Sequence, residues 1–312
     1  MNAIQLTGLQ KTYGRVKALD GLDLEVPAGS VFGFLGPNGA GKTTTLRILA
    51  GLAAANSGSV EINGKIVKAF SANNEIGYLP EEPAFYPWMT PQETLNYYAG
   101  IFGLTAKDSR ARTSALLEQV GLKEAVKRRV GGFSRGMRQR LGLAQALINR
   151  PLILLLDEPV SALDPMGRKE VLELIESLSK ECTILMSTHI LADAERVCDT
   201  LAILDHGRRL LQSDLKTLMA HYATPQLDLE FANDQVENLE KVAEHIRHIA
   251  SVSTVKVEGR VLRLTVTNIK MAQADVMKAM LAQSWRFERL DVVKPSLEEI
   301  FVRLVGEEGR AQ

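Results

Sequence analysis

The chain has 312 residues, and 37 Lys and Arg balance 37 Asp and Glu to a formal charge of zero. That balance excludes a general binder of nucleic acid or acidic membrane, whose affinity needs an excess of cations. The 46% apolar and 24% charged residues exclude a disordered or low-complexity polymer, and the length predicts about two domains. Cys182 and Cys198 show no C-x-x-C spacing, which points to a reduced, cytosolic setting.

The opening Met1-Asn2-Ala3-Ile4-Gln5-Leu6-Thr7 lacks the basic flank and apolar run of a secretory signal. The longest apolar run, Leu152-Ile153-Leu154-Leu155-Leu156, falls far short of the roughly 20 residues that cross a bilayer. A membrane role is therefore expected to come through a partner. Between residues 4 and 35, strand-like segments alternate with Gly, Pro and Asp punctuation, and 31–35 reads as an apolar strand ahead of a helix at 44–52. Val60-Glu61-Ile62, Asn63-Gly64 and Lys65-Ile66-Val67 spell a hairpin, because Asn-Gly supplies the two positive φ values of a type I′ turn. Residues 91–129 read as helical, and 135–149 as a helix capped by Ser134 and stopped before Pro151. Residues 152–157, 183–186 and 201–204 read as buried parallel strands separated by helices at 167–180 and 191–197, the order of a doubly wound sheet.

The pattern changes near Tyr222-Ala223-Thr224-Pro225, which places a domain boundary near residue 220. Leu227, Leu229 and Phe231 alternate as a strand, and Val236, Leu239, Val242, Ile246 and Ile249 line one helix face. A hairpin follows at 252–258 and 261–267 around Gly259, then a helix at 271–283, a strand at 287–293 and a helix at 296–305. The order β-α-β-β-α-β with a closing helix predicts a small α+β domain of split-βαβ type over 221–312.

Gly36-Pro37-Asn38-Gly39-Ala40-Gly41-Lys42-Thr43 matches G-x-x-x-x-G-K-[ST], placed after an apolar strand and before the helix that Thr44 opens. Glycines let backbone N–H groups converge on phosphate oxygens, Lys42 reaches the β/γ-phosphates and the Thr43 hydroxyl can ligate Mg²⁺. Gly36 through Thr44 are thus candidate contacts to a nucleotide. The apolar strand ending in Asp157-Glu158 supplies two acids where open α/β sheets place ligands. Alone, such a run is usually a strand entering a solvated turn; paired with Lys42, Asp157 would hold Mg²⁺ through its water shell and Glu158 would polarise the attacking water.

With Phe133-Ser134-Arg135-Gly136-Met137, these motifs resemble the nucleotide-binding subunit of an ABC transporter. Ser134 and Gly136 keep the family signature, usually Leu-Ser-Gly-Gly-Gln, while Phe133, Arg135 and Met137 depart from it. The resemblance implies that Tyr13 stacks on adenine, that Glu81 stands where a glutamine contacts metal or water, that Ser161-Ala162-Leu163-Asp164 is the D-loop, and that His189 senses the γ-phosphate. It implies a P-loop NTPase core over 1–220, in which a mixed α/β sheet carries an antiparallel N-terminal subdomain and a helical subdomain at about 83–150. It also implies ATP and Mg²⁺ as cofactors and two copies packed head to tail, or one copy paired with a similar ATPase subunit. Lys42, Asp157, Glu158 and His189 of one would then face Ser134 and Gly136 of the other.

Phe85, Tyr86, Trp88, Tyr97, Tyr98 and Phe102 crowd the helical subdomain, either as its core or as the surface that in this family docks a membrane subunit. The tail, closing in Pro295-Ser296-Leu297-Glu298-Glu299-Ile300-Phe301, resembles the extra domain of ATPases that serve bacterial exporters with separate membrane subunits. The implied protein is an ATPase at the inner face of the cell membrane that powers export through a permease, with no nucleic-acid partner expected. A soluble ABC-type ATPase acting on ribosomes or DNA is the alternative, though such chains usually carry two nucleotide domains or a long coiled coil. A kinase-like P-loop enzyme has no use for the ordered Ser134, Asp157, Asp164 and His189. His206 and His221 read as loop or helix-end residues, His245 and His248 as surface positions, and Lys127-Arg128-Arg129 as a solvated face.

Overall fold

Two long strands of alternating burial open the chain, β1 (Asn2–Tyr13) and β2 (Val16–Pro27), and pair as an antiparallel hairpin. The computed structural model describes residues 1–301 apart from 69, 72, 162, 223–224, 233–238 and 294–295. Ala162, Ala223, Thr224, Val236, Pro295 and the end of the predicted last helix lie outside the described residues. The chain divides into two units, Met1–Lys216 and Thr217–Gln312.

In the first unit, β3 (Val31–Leu35) feeds a glycine loop and then α1 (Lys42–Leu49). Next come β4 (Ser57–Ile62), β5 (Lys65–Ile66) and β6 (Ile76–Leu79). Asn63 and Gly64 both take positive φ, 49° and 74°, as the hairpin reading required. The stretch 91–129 that reads as helical holds two helices, α2 (Pro91–Ile101) and α3 (Ala106–Gln119). Gly103 at φ 76° breaks them and the Thr105 side chain caps the second. Helix α4 (Arg135–Ala146) starts at Ser134, whose hydroxyl accepts the Met137 N–H at 3.2 Å, and ends before the predicted Asn149. It is followed by β7 (Ile153–Asp157), α5 (Pro165–Leu178), β8 (Thr183–Thr188), α6 (Leu191–Val197), β9 (Thr200–Asp205) and β10 (Arg208–Asp214).

Strands β3, β7 and β8 are buried along their whole length, as befits the centre of a parallel sheet covered on both faces. That sheet runs β10-β9-β3-β8-β7-β6, parallel except at β10, beside an antiparallel sheet β2-β1-β4-β5. Register aligns Leu79 with Leu156, Asp157 with Ser187, and Thr188 with Leu35, so the carboxyl ends of four strands come together. That is the edge at which open α/β sheets hold ligands.

Helix α7 (Leu215–His221) contains the division between units. The second unit holds β11 (Gln226–Glu230), α8 (Leu239–Arg247), β12 (Val252–Glu258), β13 (Val261–Val266), α9 (Ile269–Ala282) and β14 (Arg289–Val293). Its antiparallel sheet, β12-β13-β11-β14, packs Leu227, Leu229, Leu262 and Leu264 against Val242, Ile246, Val276 and Met280 of the two helices. Arg263 crosses to Asp228 on the neighbouring strand with paired bonds of 3.0 and 2.9 Å.

Candidate functional site

Two glycines let the loop after β3 fold tightly. Gly36 has φ 155°, and a Cβ there would sit 2.4 Å from the Leu204 carbonyl oxygen; Gly41 has φ 104°, with the Ala18 carbonyl 2.6 Å from its missing Cβ. Any side chain would push the loop off β2 and β9. Lys42, 6% exposed, folds back so that its ammonium donates to the Gly36 and Pro37 carbonyls at 2.7 and 3.2 Å and lies 3.5 Å from Glu158 Oε1. The Thr43 hydroxyl donates to Asp157 Oδ1 at 3.1 Å.

Asp157 ends β7, and Glu158 takes φ 47°, a left-handed conformation that costs a non-glycine residue on the order of 1 kcal/mol or more. The end of β8 and the residue that follows it hold this turn at three points. The Ser187 hydroxyl donates to Asp157 Oδ1 at 2.7 Å and accepts the Glu158 N–H at 2.9 Å, and His189 Nδ1 lies 2.9 Å from Glu158 Oε2. Burial raises the Asp157 pKa above the usual carboxylate value; bonds from Ser187 and Thr43 pull against it, and the Glu158 charge adds to it. The Tyr78 hydroxyl is pushed up to about 12 by burial and the Asp157 charge, with the Arg47 guanidinium pulling against them.

A cavity of about 400 Å³ gathers Asn38, Gly39, Ala40, Gly41, Lys42, Thr43, Thr44, Glu81, Glu158 and His189, joined by Val16 and Ala18. Gly36 and Pro37 border it through their bonds to Lys42, and Asp157 through Thr43. Tyr13, 48% exposed and 4.7 Å from the Lys11 ammonium, pairs across the hairpin with Val16. Ser134, Gly136 and Asp164 line a separate cavity of about 370 Å³ with Arg140, Leu163 and Glu170. The Asp164 carboxylate caps α5, accepting the Gly167 N–H at 3.0 Å. The predicted helix start at residue 167 thus moves to Pro165, a shift that Asp-Pro, cap and first helical position, spells in the sequence.

The oxygens of Thr43, Asp157 and Glu81 suit a hard cation such as Mg²⁺. Among the described residues no group of three or more His, Cys, Asp and Glu could hold a metal ion, so phosphate oxygens would have to complete its shell. Val16, Ala18, Arg47, Tyr78 and Ser187 escaped the sequence reading. Ser187 stood beside the recognised His189, yet its meaning depends on cross-strand register with Asp157. The aromatic cluster is a surface: Tyr86, Trp88, Tyr97 and Phe102 are exposed, Phe85 and Tyr98 are half-buried, and none belongs to the core.

Residues 19–161 match the family model described as ABC transporter, and residues 214–305 match the ATP-binding protein DrrA1-3-like, C-terminal domain. The chain is 37% identical over 302 residues to an uncharacterized ABC transporter ATP-binding protein, YxlF, of Bacillus subtilis, covering 97% of this chain and 99% of that protein. It is 34% identical to the Nod factor export ATP-binding protein I of Paraburkholderia xenovorans, covering 98% of both. Among solved structures, cbiO1 of Clostridium perfringens, part of the ABC transporter complex cbiONQ, superposes with a TM-score of 0.64 at 26% identity, over 70% of this chain and 91% of that one.

Proposed function

The chain belongs to the family of ABC transporter ATP-binding proteins, and on that premise we propose that it binds and hydrolyses ATP to drive export through a separate transmembrane permease. The convergence of Lys42, Thr43, Asp157, Glu158 and His189 on one cavity carries this reading. Among the described residues no helix is long and apolar enough to cross a membrane, so the membrane path is assigned to another subunit. Export follows the Nod factor relative, whose likeness runs through both units. The exposed aromatics around Trp88 form the docking surface for the permease, and the protein works at the cytoplasmic face of the membrane.

Lys42 exchanges its carbonyl partners for the β- and γ-phosphate oxygens, as the loop amides turn toward the same phosphates. Thr43 and Asp157, with Glu81 nearby, would hold Mg²⁺, which would supply neutralisation of the phosphate charge. Glu158 accepts a proton from the attacking water, and His189 keeps that carboxylate aimed while sensing the γ-phosphate. Tyr13 stacks on the adenine. The Ser134 and Gly136 cavity shares no residue with the Lys42 cavity, so the signature of a second copy, or of a similar subunit, closes the site, and Asp164 lies at that contact. ATP then joins the two copies and hydrolysis releases them. Purification from membranes with identification of the bound integral protein tests this; recovery on ribosomes without a membrane protein overturns it.

A further inference from the structure

We propose that Ser187 is a positioning residue that sets both acids of the site at once. This deepens the reading of the cavity as one that hydrolyses ATP and rests on it. Ser187 is fully buried at the end of β8, directly across from Asp157 in register. Its hydroxyl spends its donor on Asp157 Oδ1 and an acceptor on the Glu158 amide. The neighbouring Thr188 hydroxyl instead accepts the Ile190 N–H, shaping the turn toward α6.

The two bonds of Ser187 answer two separate needs. Asp157 Oδ1 takes donors from Thr43 and Ser187, and two donors on one oxygen fix the carboxylate's rotation. Glu158 leaves β7 in a left-handed turn, at φ 47°, so its N–H cannot continue the strand ladder. The Ser187 oxygen is the acceptor that satisfies this amide, and a buried N–H without one is costly. Two residues on, just past the end of β8, His189 holds the Glu158 carboxylate. Strand β8 thus grips Glu158 at its amide, the residue after the strand grips its side chain, and Ser187 ties that grip to Asp157. A methyl group at position 187 keeps the packing and removes both ties.

The test compares wild type with Ser187→Ala and Ser187→Thr, reading steady-state ATP turnover, metal-free ATP affinity, and Mn²⁺ affinity of the ATP-bound protein by its EPR signal. Ser187→Ala is expected to lower turnover about 10- to 100-fold, the rate equivalent of one hydrogen bond to a charged group. It should leave metal-free ATP affinity within about 3-fold, because nothing it touches holds the phosphates directly, and weaken Mn²⁺ several-fold. Ser187→Thr, which restores the hydroxyl, should recover most of both losses. Wild-type turnover in Ser187→Ala, equal damage in Ala and Thr, or an equal loss of metal-free ATP affinity each overturns the proposal. If Ser187→Ala does not fold, Ser187→Cys, of similar volume with a weak donor and acceptor, carries the same comparison. Should the wild type hydrolyse no ATP, the reading of the site fails, and unchanged Mn²⁺ affinity in Ser187→Ala then separately removes Ser187's role.

Discussion

Replacing Glu158 by Gln separates the chemistry of the site from its binding. The amide keeps the volume of the carboxylate and an oxygen for His189, now 2.9 Å from Oε2, but loses the charge 3.5 Å from the Lys42 ammonium. Stripping a buried cation of its only partner costs about 3–5 kcal/mol. Lys42 keeps the Gly36 and Pro37 carbonyls, so the expected loss of stability is one charge-assisted bond, about 1–2 kcal/mol, or a few degrees in melting temperature. Turnover should fall roughly 10²- to 10⁴-fold, because no base remains to take the proton of the water. That fall corresponds to about 2.7–5.5 kcal/mol of barrier. Phosphate release measures the rate, calorimetric titration the ATP affinity, and light scattering after size exclusion the ATP-held dimer, which should accumulate. Undiminished hydrolysis removes Glu158 from the role of base. Lost ATP affinity at normal stability shows instead that the Lys42 pair was part of binding.

Lys42→Ala should weaken ATP binding at least about 10-fold, since one charged donor to phosphate is lost, and unchanged affinity in the same titration would count against the loop. Trp88→Ala together with Tyr86→Ala, which strips two exposed rings in tilted contact with centroids 4.9 Å apart, should leave basal ATP turnover intact while reducing recovery of the membrane partner; equal recovery would move docking elsewhere. Burial pushes the Cys182 thiol up to about 11 and raises Cys198 as well. The reactive thiolate is therefore scarce below that value and grows as pH rises toward it, so at pH 8 about one Cys182 in a thousand is ionised. A disulfide-exchange reagent at pH 8 should label neither cysteine in the folded protein and both in guanidinium, and rapid labelling of the native protein would contradict their burial.

The loop from Gly36 to Thr43 was legible because its chemistry is written in consecutive residues: backbone amides, an ammonium and a hydroxyl must all reach one triphosphate. Asp157-Glu158 was legible for a similar reason, an apolar strand that has to bury itself ending in groups that must not. Segments whose character comes from their neighbours were harder to read. Strand β6 is four residues long with Gly77 inside it, and only pairing with β7 makes it a strand. Strand β10, Arg-Arg-Leu-Leu-Gln-Ser-Asp, carries the polar residues that protect a sheet edge, and pairing with β9 makes it a strand. Gly103 and Thr105 between α2 and α3 were plain stop and start signals, but the helix-forming residues around them masked the break.

Within one chain, the ammonium of Lys42 is already satisfied by two carbonyls and a carboxylate, and the phosphate loop is held closed by those bonds. ATP has to displace them, and its phosphates then sit against a wall that this chain completes on one side. The Ser134 helix start, an N-terminus suited to anions, opens into the other cavity, beside the turn that Asp164 caps. A two-fold axis that brings each helix start to the other chain's loop uses every one of these groups twice and makes the two sites alike. On the proposed function this is why hydrolysis can do work: the γ-phosphate is the link between copies, and Glu158, strained at φ 47° and held by Ser187 and His189, is the group placed to remove it.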